Sequence, residues 1–465
     1  MMKIIRILPA LLIIAAAGCS LHESKINRPL IEVPSSYSSG EEKPAPPIGK
    51  WWEQFEDNKL NLLMEEAFRH NPDIVRAYER LRQSRALMHI SASSTGLILN
   101  IEGSGGISRR PGISGTSTSG SYTLSAAAAY ESDLWGKLES KTRAAQLDAL
   151  ASEQNLKALY ISISAELADL YYLAIEQRAQ LELSDQTIAS FQDTLERVER
   201  RYREGLVPAI DVYQSRQNLS TARSRRPLFE SGLSVTLNAI SVLTGNFPDK
   251  KRGGDVNDLK KAPVFPAGLP SQLLKNRPDI RAALLRLKAS DERVAVAIAD
   301  RFPSFNLAGG YGGSSDKIRT ILDSPNVLWN ILLQIAQPVF DAGRRRAEVD
   351  RTEALFRENL ALYHKAVLNA FREVEDALSR IRASEERIKT LDETVSASEN
   401  SLRLALDRYM QGLTDYLPVL SGQLRHLTAK SDLIAARRQA VSDRIQLARA
   451  LGGDWVETVF NKETI

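Results

Sequence analysis

The sequence predicts a mainly helical fold with a smaller β part, arranged as two tandem copies of one helix–strand–strand–long helix–helix unit. Three observations predict it. Short motifs recur in the same order at an offset of about 206 residues. Two stretches in each copy alternate apolar residues with small or polar ones, the period of a strand. Each copy then carries about 68 residues without proline or internal glycine, in which apolar residues recur at steps of three and four.

The chain starts Met1-Met2-Lys3-Ile4-Ile5-Arg6 and continues almost wholly apolar to Ala17. A basic start, a short apolar run and small residues at its end describe a secretory signal peptide, residues 1–18. The run is shorter than the ~20 residues a membrane-spanning helix needs. Ala16-Ala17-Gly18-Cys19 resembles the bacterial lipobox, with Ala16 where Leu is usual. Cys19 is thus a candidate lipid attachment site, the alternative being an incidental cysteine after a signal peptide. It is also the chain's one cysteine, so the fold has no internal disulfide. Residues 19–50 hold Pro29, Pro34, Pro44, Pro46 and Pro47 among Ser, Glu and Lys, which suits an extended tether from an acylated N-terminus.

The duplication follows. His70-Asn71-Pro72-Asp73-Ile74 returns as Asn276-Arg277-Pro278-Asp279-Ile280, and Leu99-Asn100-Ile101 as Phe305-Asn306-Leu307, with Gly103 matching Gly309. Leu134-Trp135-Gly136-Lys137 aligns with Asp341-Ala342-Gly343-Arg344. Arg201-Tyr202-Arg203-Glu204-Gly205-Leu206 aligns with Arg408-Tyr409-Met410-Gln411-Gly412-Leu413. These matches place a first repeat at residues 51–250, a linker at 251–267, a second repeat at 268–454 and a tail at 455–465.

Each repeat opens with helical stretches ending near Ala92 and Asp300. Two alternating segments follow. Leu97, Leu99 and Ile101 lie on one face in the first, and Tyr122, Leu124, Ala126, Ala128 and Tyr130 in the second. In the second repeat Phe305, Leu307, Gly309 and Tyr311 share a face, as do Val327, Trp329, Ile331, Leu333 and Ile335. The expected strands run roughly 9–12 residues, the length of a tilted membrane strand. Their other faces are largely small or polar, as a water-filled lumen requires. Alternation alone fits a soluble hairpin equally well. Residues 108–120 and 312–326, rich in Gly, Ser and charge, are expected to be exposed loops.

The long runs, residues 137–205 and 344–412, reach about 100 Å as helices. Their seams are narrow: Ile188, Phe191, Leu195, Val198 and Tyr202 in one, Leu391, Val395, Leu402, Ala405 and Tyr409 in the other. Each breaks at Gly-Leu and a shorter helix returns, to about Leu243 and Leu451. The first helix of the following copy is expected to stack end-on against a returning helix. Four strands are too few to close a barrel, and a membrane sheet keeps no open edge. A trimer gives twelve strands continuing into a helical cylinder.

The apolar fraction is 43% and the charged fraction 25%; 61 Lys+Arg nearly balance 57 Asp+Glu. No concentrated basic patch argues for a nucleic-acid partner. His22, His70, His89, His364 and His426 show no metal-ligand spacing, so no metal or cofactor is expected. Gly103-Ser104-Gly105-Gly106 lacks the Lys-Ser/Thr of a phosphate loop. No nucleophile elbow is present, and no enzymatic activity is expected.

Arg301-Phe302-Pro303-Ser304, Gln337 through Arg344 (Gln-Pro-Val-Phe-Asp-Ala-Gly-Arg) and the two Gly-Leu tips together resemble the outer-membrane factor family, of which TolC and OprM are members. The resemblance runs from Trp51 to about Asp454. It implies the TolC-like fold, a homotrimer in the outer membrane of a Gram-negative bacterium, and a passive exit duct for drugs or other small solutes. It also implies two partners, a periplasmic adaptor and an inner-membrane transporter, of the resistance-nodulation-division type given the lipobox. A type I secretion duct is the alternative within the class, and an envelope-bridging coiled-coil lipoprotein the alternative outside it. By the same resemblance the periplasmic gate maps to Asp211, Tyr409, Leu417 and Ser421. Asp211 also suits a helix N-terminus for its dipole alone. The pattern departs at Thr414, where a basic gate residue is usual, and at Ser421, where relatives carry an acid. Gly205, Leu206, Val207, Gly412 and Leu413 map to adaptor-binding tips, or serve only to end helices.

Overall fold

A computed structural model describes residues 22–24, 26, 31–37, 49–112, 115–249, 263–266, 268, 270–453 and 455–457. Cys19 and the signal peptide lie outside the described residues, as do most of the tether and most of the linker. The described elements are α1 (Asn58–His70), α2 (Pro72–Ser93), β1 (Ile98–Gly112), β2 (Gly115–Ser132), α3 (Lys137–Arg203) and α4 (Ala209–Leu243). They continue as α5 (Pro270–Asn276), α6 (Pro278–Ala299), β3 (Ser304–Ser315), β4 (Val327–Ala336), α7 (Arg344–Met410) and α8 (Leu417–Leu451). Helix–strand–strand–long helix–helix therefore occurs twice. The long helices are 67 residues each and the returning ones 35 each. The absence of internal glycine and proline lets α3 and α7 run unbroken.

Contacts divide the chain into two compact units. The first contains the strands. Its sheet is a four-stranded antiparallel meander in the order β1-β2-β3-β4. The ladder places Leu99 opposite Ala128 and Ile101 opposite Ala126. Tyr130 lies opposite Leu307 and Ala126 opposite Tyr311. Phe305, Leu307, Gly309 and Tyr311 oppose Ile335, Leu333, Ile331 and Trp329. Directly opposed residues share a face, so all four apolar stripes fall on one side of the sheet. The other side carries Asn100, Glu102, Ser104, Thr123, Ser125, Asn306, Ser314, Asn330 and Gln334, with Ile98, Leu328 and Leu332 among them. The apolar side is bare: Ile101, Trp329 and Ile331 are 80%, 73% and 75% exposed.

Two expectations need correcting here. The first hairpin is longer than 9–12 residues, since β1 runs 15 residues and β2 18. Most of the expected loop 108–120 is therefore strand, with Ser108 opposite Ser119 and Arg110 opposite Ser117. Beyond a bilayer both faces meet water, so alternation ends while the hydrogen-bond ladder continues. The expected loop 312–326 likewise begins as strand, because β3 extends to Ser315, and then holds two short 3-10 turns.

Below the sheet, Asp300 accepts from Lys137 Nζ at 2.6 Å and Arg345 Nε at 3.2 Å, pinning the first turns of α3 and α7. Trp135 donates from Nε1 to the Pro303 carbonyl at 2.7 Å and packs on Phe302, centroids 5.2 Å apart. The Trp-Gly-Lys and Arg-Phe-Pro-Ser motifs thus form one joint.

The second unit holds a buried aromatic cluster in which Trp52 meets Trp455 edge-on at 4.6 Å, beside Phe68, Trp51 and Phe55. The recurrent Pro-Asp-Ile motif is explained in this unit. Asn71 Oδ1 caps α2 by accepting from Asp73 and Ile74, while its Nδ2 donates to Leu243 O at 2.8 Å. At the matching position Arg277 donates to Ala450 O at 2.9 Å and to Glu373 and Asp279. Each returning helix therefore ends against the helix junction of its own copy. The expected end-on contact with the following copy is corrected accordingly.

Candidate functional site

The sequence-expected site residues, Cys19 apart, belong to the second unit, at the two turns where a long helix reverses. The turns are built alike. Gly205 (φ +73°) and Gly412 (φ +76°) adopt the left-handed conformation that glycine takes without strain. Gly205 N donates to Tyr202 O at 3.0 Å and Leu206 N to Arg201 O at 2.9 Å. Gly412 N to Tyr409 O and Leu413 N to Arg408 O repeat the same paired bonds at 3.0 and 2.9 Å. This pairing leaves the next residue outside: Leu206 is 61% and Leu413 71% exposed. Val207 is half-buried and packs on the cluster beneath.

The second turn has one residue more than the first, so α4 and α8 start out of step. Pro208 stands immediately before α4, and the fully buried Tyr416 immediately before α8. Aligned on these starts, Asp211 corresponds to Val419. The duplicated unit has therefore diverged at its tips. Asp211 is buried, and its Oδ2 accepts from Tyr409 Oη at 3.0 Å. Around this bond pack Val198, Val212, Tyr416 and Val419, with the Tyr409 and Tyr416 rings 5.3 Å apart. Burial, and then the bond to Asp211, push the Tyr409 phenol above its ordinary pKa; burial does the same for Tyr416. Tyr409 is thus protonated and a donor across the physiological range. Tyr202, its counterpart in the first copy, is 47% exposed and makes no such bond among the described residues.

The structure brings Asp211 and Tyr409 together. Leu417, at the first turn of α8, is 60% exposed. Ser421 donates to Pro418 O of its own helix at 3.2 Å and joins neither residue. Gly422 lets α8 approach α7 closely, since a Cβ there would sit 3.3 Å from Leu402 Cα. Next to it Gln423 donates to Thr194 Oγ1 at 3.1 Å in a buried bond. Sequence reasoning missed two members of the cluster, Arg201 and Tyr416. The doubled Arg-Tyr of the tips was the signal for the first; nothing local marks the second. Among the described residues no group of three His, Cys, Asp or Glu is placed to hold a metal ion. The arrangement offers a hydrogen-bonded latch between helices.

The family model for outer membrane efflux proteins matches twice, at residues 63–246 and 269–453. The toluene efflux pump outer membrane protein TtgF of Pseudomonas putida is 30% identical over 459 residues, covering 95% of this chain and 95% of that protein. The cation efflux system protein CusC of Escherichia coli O6:H1 is 28% identical over 97% of this chain and 99% of its own length. Among solved structures, the outer-membrane channel OprN superposes with a TM-score of 0.86 at 27% identity, covering 94% of this chain and all of that one. The fold, the double match and the full-length relatives agree: this chain belongs to the outer membrane efflux protein family.

Proposed function

We propose that this chain is one third of an outer-membrane exit duct, through which small solutes delivered from the periplasmic side leave the cell without chemical change. The carrying observation is the sheet. One face carries all four apolar stripes, the other is mostly polar or small apart from Ile98, Leu328 and Leu332, and β1 and β4 each have a single partner among the described residues. An apolar stripe on β1 from Leu99 to Ile107, about nine residues, has the length of a tilted membrane strand. Unpaired strand edges are unsatisfied in lipid, so β4 of one copy pairs with β1 of the next until twelve strands close. Polar side chains then line the lumen.

Asp211, Tyr409, Leu417 and Ser421 form the periplasmic gate region in this reading, with the Tyr409–Asp211 bond holding it shut. Gly205, Leu206, Val207, Gly412 and Leu413 present the tips to a periplasmic adaptor, which couples the duct to an inner-membrane transporter of the resistance-nodulation-division type. Cys19 carries the lipid that tethers the mature N-terminus. The relatives named for toluene and for cations support small cargo; in this reading the transporter chooses it. The test is planar-bilayer conductance of purified trimers, alongside export in a deletion strain. The expected results are a pore that D211N or Y409F makes leakier, and toxic-compound sensitivity restored to normal by the chain. A protein without conductance, whose loss changes no sensitivity, would refute the proposal.

A further inference from the structure

Arg201, in the last turn of α3, lies with its guanidinium carbon 5.2 Å from the centre of the Tyr409 ring, and its Nη1 donates to the Met410 carbonyl. Its Nε is buried. Met410 ends α7, so its carbonyl belongs to the negative end of that helix, where a cation is favoured. The matching Arg408 makes no such pair of contacts among the described residues. We infer that Arg201 is the cation of the periplasmic gate: it positions Tyr409 and ties the α3 tip to the α7 tip, supplying what the Thr414 position lacks. This rests on the gate reading above.

The two links differ in kind. Tyr409–Asp211 joins α7 to α4, and Arg201–Met410 joins α7 to α3. Both cross from the first helical hairpin to the second, so separation of the tips breaks both. The Arg201 link uses a backbone acceptor and a ring face, and survives loss of the Asp211 carboxylate. Its geometry needs the planar guanidinium, which lies over the ring while one nitrogen reaches the carbonyl; an ammonium serves one contact at a time.

The experiment is single-channel conductance of reconstituted full-length trimers carrying R201Q, R201K, Y409F, and R201Q with Y409F. A charge-assisted bond corresponds to roughly tenfold in an equilibrium, so R201Q should raise the open fraction about tenfold, and R201K by less. Y409F keeps the ring and removes the hydroxyl; because Arg201 both positions Tyr409 and holds Met410 O, the double variant should open more than either single one but by less than the product of their effects. Heat-resistant trimers in the same proportion as wild type separate gating from folding. A leaky Y409F beside a wild-type R201Q would overturn the role of Arg201 and leave the gate reading standing. Wild-type conductance in every variant would overturn the gate reading itself.

Discussion

Replacing the tip glycines separates a turn that only reverses the chain from one that receives a partner. Gly205 and Gly412 sit at φ +73° and +76°. A side chain in that region costs roughly 1–2 kcal/mol. Among the described residues, chain neighbours apart, no atom lies within 4 Å of a Cβ built at Gly205, and at Gly412 Arg201 Nη2 alone does, at an ordinary 3.8 Å. Strain is therefore confined to the backbone, at about 2–4 kcal/mol for both sites together, in turns remote in sequence from the strands that close the barrel. G205L and G412L together should leave heat-resistant trimers at wild-type yield while abolishing export of a toxic compound. Asn tolerates the left-handed region better than Leu, so G205N with G412N relieves strain but still fills the space. If strain were the cause, the Asn pair would export; if partner approach is blocked, it would not. Normal export by the Leu pair would refute the docking assignment.

Other expectations follow from separate parts of the structure. Ile331 lies at the middle of the β4 apolar stripe and Asn330 on the opposite face, so I331R should lower stability in lipid by about 2–4 kcal/mol, whereas N330R should fold normally, both read by urea titration in vesicles. A Cβ at Gly245 would meet His70 O at 2.3 Å, and φ there is +74°, so G245A should lower the thermal midpoint more than G205A does. Asn71 caps α2 and also donates to Leu243 O; N71A should cost about 1–3 kcal/mol, and N71D should not restore stability, because it keeps the cap but sets a buried carboxylate oxygen against the Leu243 carbonyl. At Asp300 burial raises the carboxyl, but Lys137 and Arg345 outweigh it and hold the group below its ordinary range. A depressed folded-state pKa contributes stability above the unfolded value of about 3.9, lost as pH falls through the lower folded value. D300N should therefore lower the thermal midpoint at neutral pH, and the gap to wild type should close as pH falls below the ordinary carboxylate range.

Much of this fold is written in local pattern. The seams of α3 and α7 and the Gly-Leu turns follow from spacing and backbone freedom, so their ends fall where the sequence puts them. Residues 108–112 and 115–120 are strand and not loop because a strand with water on both faces loses its alternation and keeps only its ladder. The end-on contacts were misassigned because duplication fixes what the parts are and not which pairs touch; that Asn71 reaches Leu243 is a fact of packing. The Asp211–Tyr409 pair came from family resemblance, since its partners stand far apart in the chain and neither carries a local signature. Arg201 is marked only by the doubled Arg-Tyr of the tips, which does not name its acceptor: that is a carbonyl, and every residue has one.

This sheet cannot stand alone in a membrane, because its edge strands are left unpaired there. Native mass measurement of the full-length protein extracted from the outer membrane tests it directly. Three copies per particle, dissociating only together with loss of β structure, is the expected result. A stable single copy in lipid, with its sheet intact and both edge strands exchanging amide hydrogens freely, would contradict it.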